Sequence, residues 1–397
     1  MSSAPTITKG QQIIELLEAY GVDTVFGIPG VHTLELYRGL AASNIQHITP
    51  RHEQGAGFMA DGYARITAKP GVCFVITGPG LTNIATAMGQ ALGDSIPMLV
   101  ISTVNGESTK EQGCLHAMPR QADIIRPLTV ASFQLNANDS VTQTITQVFA
   151  TLDARNGTPL GPVHLQIPLD VIGQLANDET VQMIQQPIEH QQQQTPKGAN
   201  TLNHIQNAAH VINQHNPIVI LAGGGAVNAQ DQVKQLALAL DAPVVTTING
   251  RGLMANPALS VPASPSLEAT RSLLAQAHCV IALGTEMGQT DYDMYVNGNL
   301  PPLRNLIRID ISPSAIQAPQ QLGIHCDVSQ ALTHLLPLLT HKLPSVSSGE
   351  ARAAMTRQTA FTQLPRSYQQ HHRFLTTLIQ TLPEAIIVGD STQPVYA

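Results

Sequence analysis

The carboxylate of Glu53 stands beside His52 in the stretch RHEQGAGFMADGYAR at 51–65, and half of the residues that follow it are glycine or alanine. A carboxylate held near a ligand can accept a hydrogen bond or share a proton. An acid at a helix start can also simply stabilise the helix through the helix dipole. The residue type alone leaves both interpretations open.

Two glycine-rich turns accompany Glu53 along the chain. GIPG at 27–30 follows the apolar segment TVF, and TGPG at 77–80 follows GVCFVI. Glycine lets backbone approach a ligand closely, although many strand-to-helix turns need glycine for geometry alone. Ligands bind at the carboxyl ends of strands in open parallel sheets. Because both turns and Glu53 follow predicted strands, we expect them at one edge of one sheet.

The elements that would position these residues alternate between helix and strand. Apolar residues at helical spacing occur at 9–20 and 81–94, and apolar strands are predicted at 71–76, 96–103 and 162–170. A second alternating unit begins with NPIVILAGGGA at 216–226. Such alternation is typical of parallel sheets covered on both faces. The predicted fold class is therefore α/β, with two doubly wound parallel-sheet domains and the truncated start of a third.

The predicted boundaries follow changes in composition. The first domain is expected at 1–175, a Gln-rich linker at 176–200, a central α/β domain at 201–342, and a second linker with the first elements of an incomplete domain at 343–397. In that last segment we expect helices at 351–364 and 367–381 and a strand, EAIIVGD, at 384–390.

Composition excludes several classes of protein. Hydrophobic residues make up 43% and charged residues 12%, which argues against disorder. A net charge of −7 without long charge runs gives no basic surface for nucleic acid or an anionic membrane. No signal peptide or membrane-spanning stretch is visible, and the 4 cysteines form no CxxC pair. We therefore expect a soluble, cytoplasmic protein.

GIPG, RHEQGAGFMADGYAR and VCFVITGPGLTNIATAMGQALGDSIPMLVIS together resemble the pyrimidine-binding domain of thiamine-diphosphate enzymes, the family of acetolactate synthases and 2-oxoacid decarboxylases. The resemblance covers about residues 7–175 and continues, less specifically, to about 340. It implies that Glu53 hydrogen-bonds a ring nitrogen of the aminopyrimidine, favouring the tautomer that removes the thiazolium C2 proton. It also implies a pocket lined by Pro29, Gly30, Thr77, Pro79, Gly80 and Asn83.

The loop QGCLHAMPRQADI at 112–124 corresponds to one that presents polar groups to the substrate in this family. His116 and Gln121 are thus candidates for proton handling or carboxylate binding, and a solvated loop histidine is an equal alternative for His116. The loop is more similar to that of decarboxylases of guanidino-bearing 2-oxo acids, the 5-guanidino-2-oxopentanoate branch, than to that of acetolactate synthases.

The family binds the cofactor diphosphate through Mg²⁺, using a GDG motif and a later Asn in a third domain. This sequence has Gly389-Asp390-Ser391 at the preceding strand, so we assign no metal ligand and expect a truncated or split enzyme. In the second domain Gly223-Gly224-Gly225 is not GxGxxG. GTEMGQTDYDMY at 284–295 also lacks the arginine-bearing stretch with which acetolactate synthases hold FAD. This argues against FAD and favours a structural role for that domain.

The resemblance implies thiamine-diphosphate-dependent decarboxylation of a 2-oxo acid, or its carboligation, in a homodimer or tetramer or with a chain that supplies the missing domain. A non-catalytic binding or regulatory remnant of such an enzyme is the alternative. An unrelated nucleotide-binding oxidoreductase is a third possibility, and the lack of GxGxxG counts against it.

Overall fold

The computed structural model describes residues 7–106, 113–153, 160–176, 199–254, 258–289, 299–313, 315–317, 321–342 and 347–389. The chain divides into two compact units, Met1–Gln192 and Gln193–Ala397. In the described part of each unit, six strands form one sheet whose neighbouring strands are all parallel. The predicted pair of parallel α/β domains is confirmed.

The strands of the first sheet are β1 Thr24–Gly27, β2 Gln46–Ile48, β3 Gly71–Val75, β4 Met98–Val104, β5 Ala131–Gln134 and β6 Pro162–Pro168. The strands of the second sheet are β7 Ile218–Ala222, β8 Val244–Thr246, β9 Ser260–Val261, β10 Cys279–Leu283, β11 Leu306–Asp310 and β12 Gln321–His325.

The helices of the first unit are α1 Lys9–Ala19, α2 Leu34–Leu40, α3 Glu53–Thr67, α4 Pro79–Gly93, α5 Gln121–Ile125, α6 Val141–Leu152 and α7 Leu169–Ile172. The helices of the second unit are α8 Ala199–Gln214, α9 Gln230–Leu240, α10 Glu268–Gln276, α11 Val328–Leu335, α12 Gly349–Gln363 and α13 Arg366–Thr381. None of these described helices is both long enough and apolar enough to span a lipid bilayer.

The strand order places the functional edge of each sheet. The first sheet runs β2-β1-β3-β4-β6-β5, and the second runs β12-β11-β10-β7-β8-β9. The chain reverses its direction across the sheet between β1 and β3 in the first unit and between β7 and β10 in the second. Ligands of doubly wound sheets bind outside the carboxyl ends of the strands at such a switch point. GIPG and TGPG follow β1 and β3 directly.

The central strands of the first sheet are buried on both faces. Every residue of β3, β4 and β6 is buried. Helices cover both faces, and their apolar sides complete two cores in this unit. A parallel sheet needs such cover because its strands expose no polar face to water. The result is a rigid platform for the loops at the carboxyl edge.

The last described segment differs from its predicted form. The two predicted helices occur as α12 and α13, and α12 packs into the second unit, with Ala353 fully buried in its core. The predicted strand at 384–390 is not formed at 384–389, where Ile386 is 92% exposed. No neighbouring strand supplies ladder hydrogen bonds to this segment in the described residues, which a strand requires. The linker assigned to 176–200 and Asp390-Ser391 fall largely outside the described residues.

Candidate functional site

The two glycine turns of the first unit converge on one side chain, Ile76. A Cβ atom on Gly30 would lie 2.5 Å from Ile76 Cγ2, and one on Gly80 would lie 2.7 Å from Ile76 Cγ1. Glycine is therefore needed in both turns so that they can close around Ile76. Our sequence reasoning missed Ile76, although a β-branched residue between a strand and a glycine turn was a visible signal.

Glu53 is the first residue of α3 and is half-buried. His52 caps the helix, since its Nδ1 accepts a hydrogen bond of 3.1 Å from the Gln54 N–H. Asn83 in α4 donates from Nδ2 to Glu53 Oε2 at 2.9 Å. The other carboxylate oxygen has no hydrogen-bond partner among the described residues. Two residues predicted for one pocket are thus brought together.

The small residues that follow Glu53 allow α3 to lie directly on α4. Ala56, Gly57 and Ala60 are buried. A Cβ atom on Gly57 would lie only 2.4 Å from the Cβ of Ala87. The buried small residues of α3 pack within their own unit. Close helix packing is what brings Asn83 within reach of Glu53.

The TGPG turn is held in an unusual conformation. Gly78 has φ +67° and ψ −104°, a region that favours glycine. Its N–H donates to Gln121 Oε1 at 2.9 Å. Thr77 is fully buried and shares a hydroxyl hydrogen bond of 3.1 Å with Thr103. Pro79 opens α4 and is half-buried, whereas Pro29 in the other turn is exposed.

Gln121 lies behind this turn and is fully buried. Its Nε2 donates to Thr103 O at 2.6 Å, Ser102 Oγ at 3.3 Å and Gln166 Oε1 at 3.0 Å. Every polar atom of the side chain is therefore engaged by the protein. In this arrangement Gln121 acts on the site through Gly78, and not by facing an open pocket.

The hydrogen bonds of Gln121 continue into a buried polar network. Gln166 donates from Nε2 to Gln134 Oε1 at 2.9 Å. His164 lies between two hydroxyls, 2.8 Å from Ser102 and 2.9 Å from Ser132. Burial lowers the pKa of His164 to about 4, so the ring is neutral at physiological pH. A network whose members are all paired gives the platform behind the turn a single geometry.

His116 lies on the other side of the turn and is exposed. Its backbone has φ +58°, uncommon for a residue with a side chain. A Cβ atom on Gly78 would lie 2.6 Å from His116 O, so only glycine allows this contact. The His116 ring meets the ring of His32 edge-on, with centroids 5.8 Å apart. His32 is 6% exposed and was not singled out from the sequence, which offered only its place two residues after GIPG.

The second unit uses its glycines for backbone packing at its own switch point. Gly225 N–H donates to Gly284 O at 3.0 Å, and a Cβ atom on Gly225 would lie 2.9 Å from Gly284 Cα. Nearby, burial raises the pKa of Asp310 and lowers that of Arg308. Tyr292 lies outside the described residues. Among the described residues of both units, no group of three or more His, Cys, Asp or Glu side chains could hold a metal ion.

Comparison with known proteins gives two family matches. Residues 7–124 match the thiamine pyrophosphate enzyme N-terminal TPP binding domain, and residues 205–335 match the thiamine pyrophosphate enzyme central domain. A probable 2-ketoarginine decarboxylase of Pseudomonas aeruginosa is 39% identical over 403 residues, covering 100% of this chain and 70% of that protein. The acetolactate synthase isozyme 1 large subunit of Escherichia coli is 31% identical, covering 85% of this chain and 59% of that protein. An acetolactate synthase of Mycobacterium bovis is also 31% identical, covering 84% and 54%.

Proposed function

We propose a function from one premise: the chain belongs to the thiamine pyrophosphate enzyme family, whose N-terminal and central domains it matches. The proposed function is thiamine-diphosphate-dependent decarboxylation of a 2-oxo acid, or a carboligation that begins with the same step. The observation that carries it is the half-buried Glu53 carboxylate, oriented by Asn83 at the strand edge and with one oxygen left for a ligand.

The residues of this edge fit the aminopyrimidine half of the cofactor. An aminopyrimidine ring offers a nitrogen that can share a proton with a carboxylate, and Glu53 has an oxygen available for it. The turns closed around Ile76 bring Gly30 and Gly80 to the same edge. We propose that Pro29, Gly30, Thr77, Pro79, Gly80 and Asn83 line the ring. When bound, thiamine diphosphate supplies the electron sink for loss of carbon dioxide.

In this proposal Glu53 holds a proton at the ring nitrogen, and Asn83 holds Glu53. The Asn83 amide donates to Oε2 and so fixes the plane of the carboxylate. Gln121 and His116 both contribute to this site, Gln121 through the Gly78 turn and His116 at the protein surface. Gln121 fixes the Gly78 turn from behind, and His116 faces the open side, where it can exchange a proton with the substrate.

The diphosphate and its Mg²⁺ need oxygen ligands that we do not assign to these residues. We propose that another segment, either further chain or a separate polypeptide, supplies them. The chain spans 70% of the length of the 2-ketoarginine decarboxylase but only 59% and 54% of the acetolactate synthases. A non-catalytic protein that retains the pyrimidine site is the alternative. The described residues of the second unit give no support for FAD binding.

The assembly we propose is a cytoplasmic homodimer or tetramer. The outward side of α3 carries Phe58 and Met59, 42% and 45% exposed, between Gly55 and Gly62. A Cβ atom on Gly62 would meet nothing within 4 Å. This apolar, open stripe next to Glu53 suits close contact with a second copy. The 4 cysteines are free, which suits a reducing compartment.

The first substrate class to test is a guanidino-bearing 2-oxo acid. The relative with 39% identity is named for 2-ketoarginine, whereas the acetolactate synthases share 31%. Decarboxylation is therefore favoured over carboligation.

Calorimetric titration of thiamine diphosphate with Mg²⁺ tests the cofactor assignment. We expect measurable binding by the wild-type chain, weakened about tenfold or more in Glu53→Gln, because a hydrogen bond to a charged group contributes about 1.5–3 kcal/mol. Glu15→Gln, at an exposed position of α1, is the matched control and should bind as the wild type does. Equal binding by Glu53→Gln would contradict the proposal. No binding by the wild type would mean that the pyrimidine site does not hold the cofactor without the segment that supplies the diphosphate and Mg²⁺ ligands.

A further inference from the structure

Two buried polar atoms at the carboxyl edge of the first sheet have no hydrogen-bond partner among the described residues. One is Nδ1 of His32, which lies in the turn after β1, and the other is Oδ1 of Asn105, which follows β4. His32 is 6% exposed and Asn105 is 8% exposed. Leaving a buried polar group unpaired is energetically unfavourable, so such groups point to a missing partner.

The orientation of the Asn105 amide is fixed by its neighbour. Its Nδ2 donates to Leu115 O at 3.3 Å, and a backbone carbonyl can only accept. The amide therefore cannot be turned around, and Oδ1 is the atom left over. An unpaired carbonyl oxygen needs an N–H or O–H donor. Leu115 directly precedes His116, so the same loop contacts Asn105 through Leu115 and His32 through His116.

A carboxylate lies beside Asn105. Asp170, at the start of α7, contacts Gly106 so closely that a Cβ atom there would lie 2.7 Å from Asp170 Oδ2. Asp170 is exposed, and its carboxylate has no partner among the described residues. This end of the edge thus offers one unpaired carbonyl oxygen and one unpaired negative charge. That pair is complementary to a cation with several N–H donors, such as guanidinium.

The other end offers imidazoles. His32 and His116 meet edge-on, and the turn at 31–33 lies against β4. Burial, and to a smaller extent the neighbouring His116, lowers the pKa of His32, so its ring is neutral at pH 7. A neutral imidazole donates one N–H, which can bind a carboxylate or keto oxygen without placing a full positive charge beside it. Because a neutral donor forms no ion pair with the carboxylate, it does not oppose the loss of that group as carbon dioxide.

We propose that these groups form the substrate subsite: His32 and His116 bind the oxygens of a 2-oxo acid, and Asn105 with Asp170 binds a cationic N–H donor on its tail. This rests on the proposed function and deepens it, since it names the residues that select a guanidino-bearing substrate. These four residues are separated along the chain, and the strands β1, β4 and β6 bring His32, Asn105 and Asp170 to one edge of the sheet, where His116 contacts His32.

The test compares two probes, 2-ketoarginine and 2-oxohexanoate, by calorimetry and by the imidazole ¹⁵N signals of the full chain. We expect 2-ketoarginine to shift the His32 and His116 signals. Asp170→Asn should weaken the binding of 2-ketoarginine about tenfold and leave the binding of 2-oxohexanoate unchanged, because only 2-ketoarginine has a cation that can pair with Asp170. His32→Gln should weaken both. Asp231→Asn, on an exposed turn of α9, is the control and should change neither.

Titrations with and without thiamine diphosphate and Mg²⁺ separate this inference from the proposed function. The subsite would be overturned if 2-ketoarginine left the imidazole signals of the wild type unchanged. It would also be overturned if Asp170→Asn weakened the binding of both probes equally. If cofactor binding still depends on Glu53 in that case, the proposed function stands alone. If the probes bind as expected but the cofactor does not, the proposed function fails, and these residues form a binding site for a guanidino-bearing 2-oxo acid without the proposed reaction.

Discussion

Replacing Gln121 with Leu tests whether this residue positions the site from behind. Leu has nearly the same size, so the change removes hydrogen bonds and creates little cavity. Gly78 N–H loses its partner, and the donations to Thr103 O and Gln166 Oε1 disappear.

The magnitude follows from these losses. An orphaned buried N–H costs about 1–3 kcal/mol, and each other lost bond about 1 kcal/mol, so unfolding should become easier by about 3–5 kcal/mol. At about 2–4 °C per kcal/mol for a domain of this size, the Tm should fall by roughly 6–20 °C.

Thermal unfolding followed by circular dichroism measures the loss, and hydrogen exchange of the peptide at 77–84 locates it. Gln147→Leu, at an exposed position of α6, is the matched control and should leave both unchanged. If Gln121→Leu unfolds at the control's temperature and the Gly78 amide stays protected, the positioning role is wrong.

Three further changes test other parts of the account. Because the pKa of His164 is about 4 when folded and about 6.5 when unfolded, protonation of the unfolded state removes stability as pH falls between these values. The free energy of unfolding of His164→Gln, measured in urea, should therefore fall by about 2.5 kcal/mol less than that of the wild type between pH 7 and 4.5. An identical pH dependence in the two proteins would refute this. Gly57→Ala should destabilise by about 1–3 kcal/mol through overpacking of α3 on α4, whereas Gly93→Ala, with nothing within 4 Å of the new Cβ, should not; equal effects on Tm would contradict the packing. Met59→Glu should shift the sedimenting species toward monomer, while Leu238→Glu, at an exposed position of the second unit, should leave it unchanged; an unaltered oligomer in both would exclude α3 from the interface.

Much of the fold was predictable because it depends on patterns within each element. Fully apolar strands such as β3 and glycine turns directly after them specify a parallel sheet and its functional edge. The strand at 384–390 was predicted from the same kind of pattern and was wrong for 384–389. Apolar alternation indicates that a segment can pair but not whether a neighbouring strand is present.

The site was predictable in its residues but not in its contacts. Glu53 and Asn83 were both expected in the pocket, and their hydrogen bond depends on how closely α3 approaches α4. Gln121 was a candidate for contact with the substrate, yet its amide forms hydrogen bonds with the Gly78 turn and with Thr103 of β4. Asn105 gave no sequence signal and His32 only its place near GIPG, because an unpaired polar atom is a property of the packed structure.

The central claim is that Glu53 activates the bound aminopyrimidine, and exchange of the thiazolium C2 proton tests it most directly. The rate of deuterium incorporation at C2 can be followed by NMR after mixing the chain, thiamine diphosphate and Mg²⁺ with D₂O. We expect faster exchange with the wild-type chain than for free cofactor. The rate should fall close to that of free cofactor with Glu53→Gln and stay at the wild-type rate with Glu15→Gln. Equal acceleration by wild type and Glu53→Gln would contradict the claim.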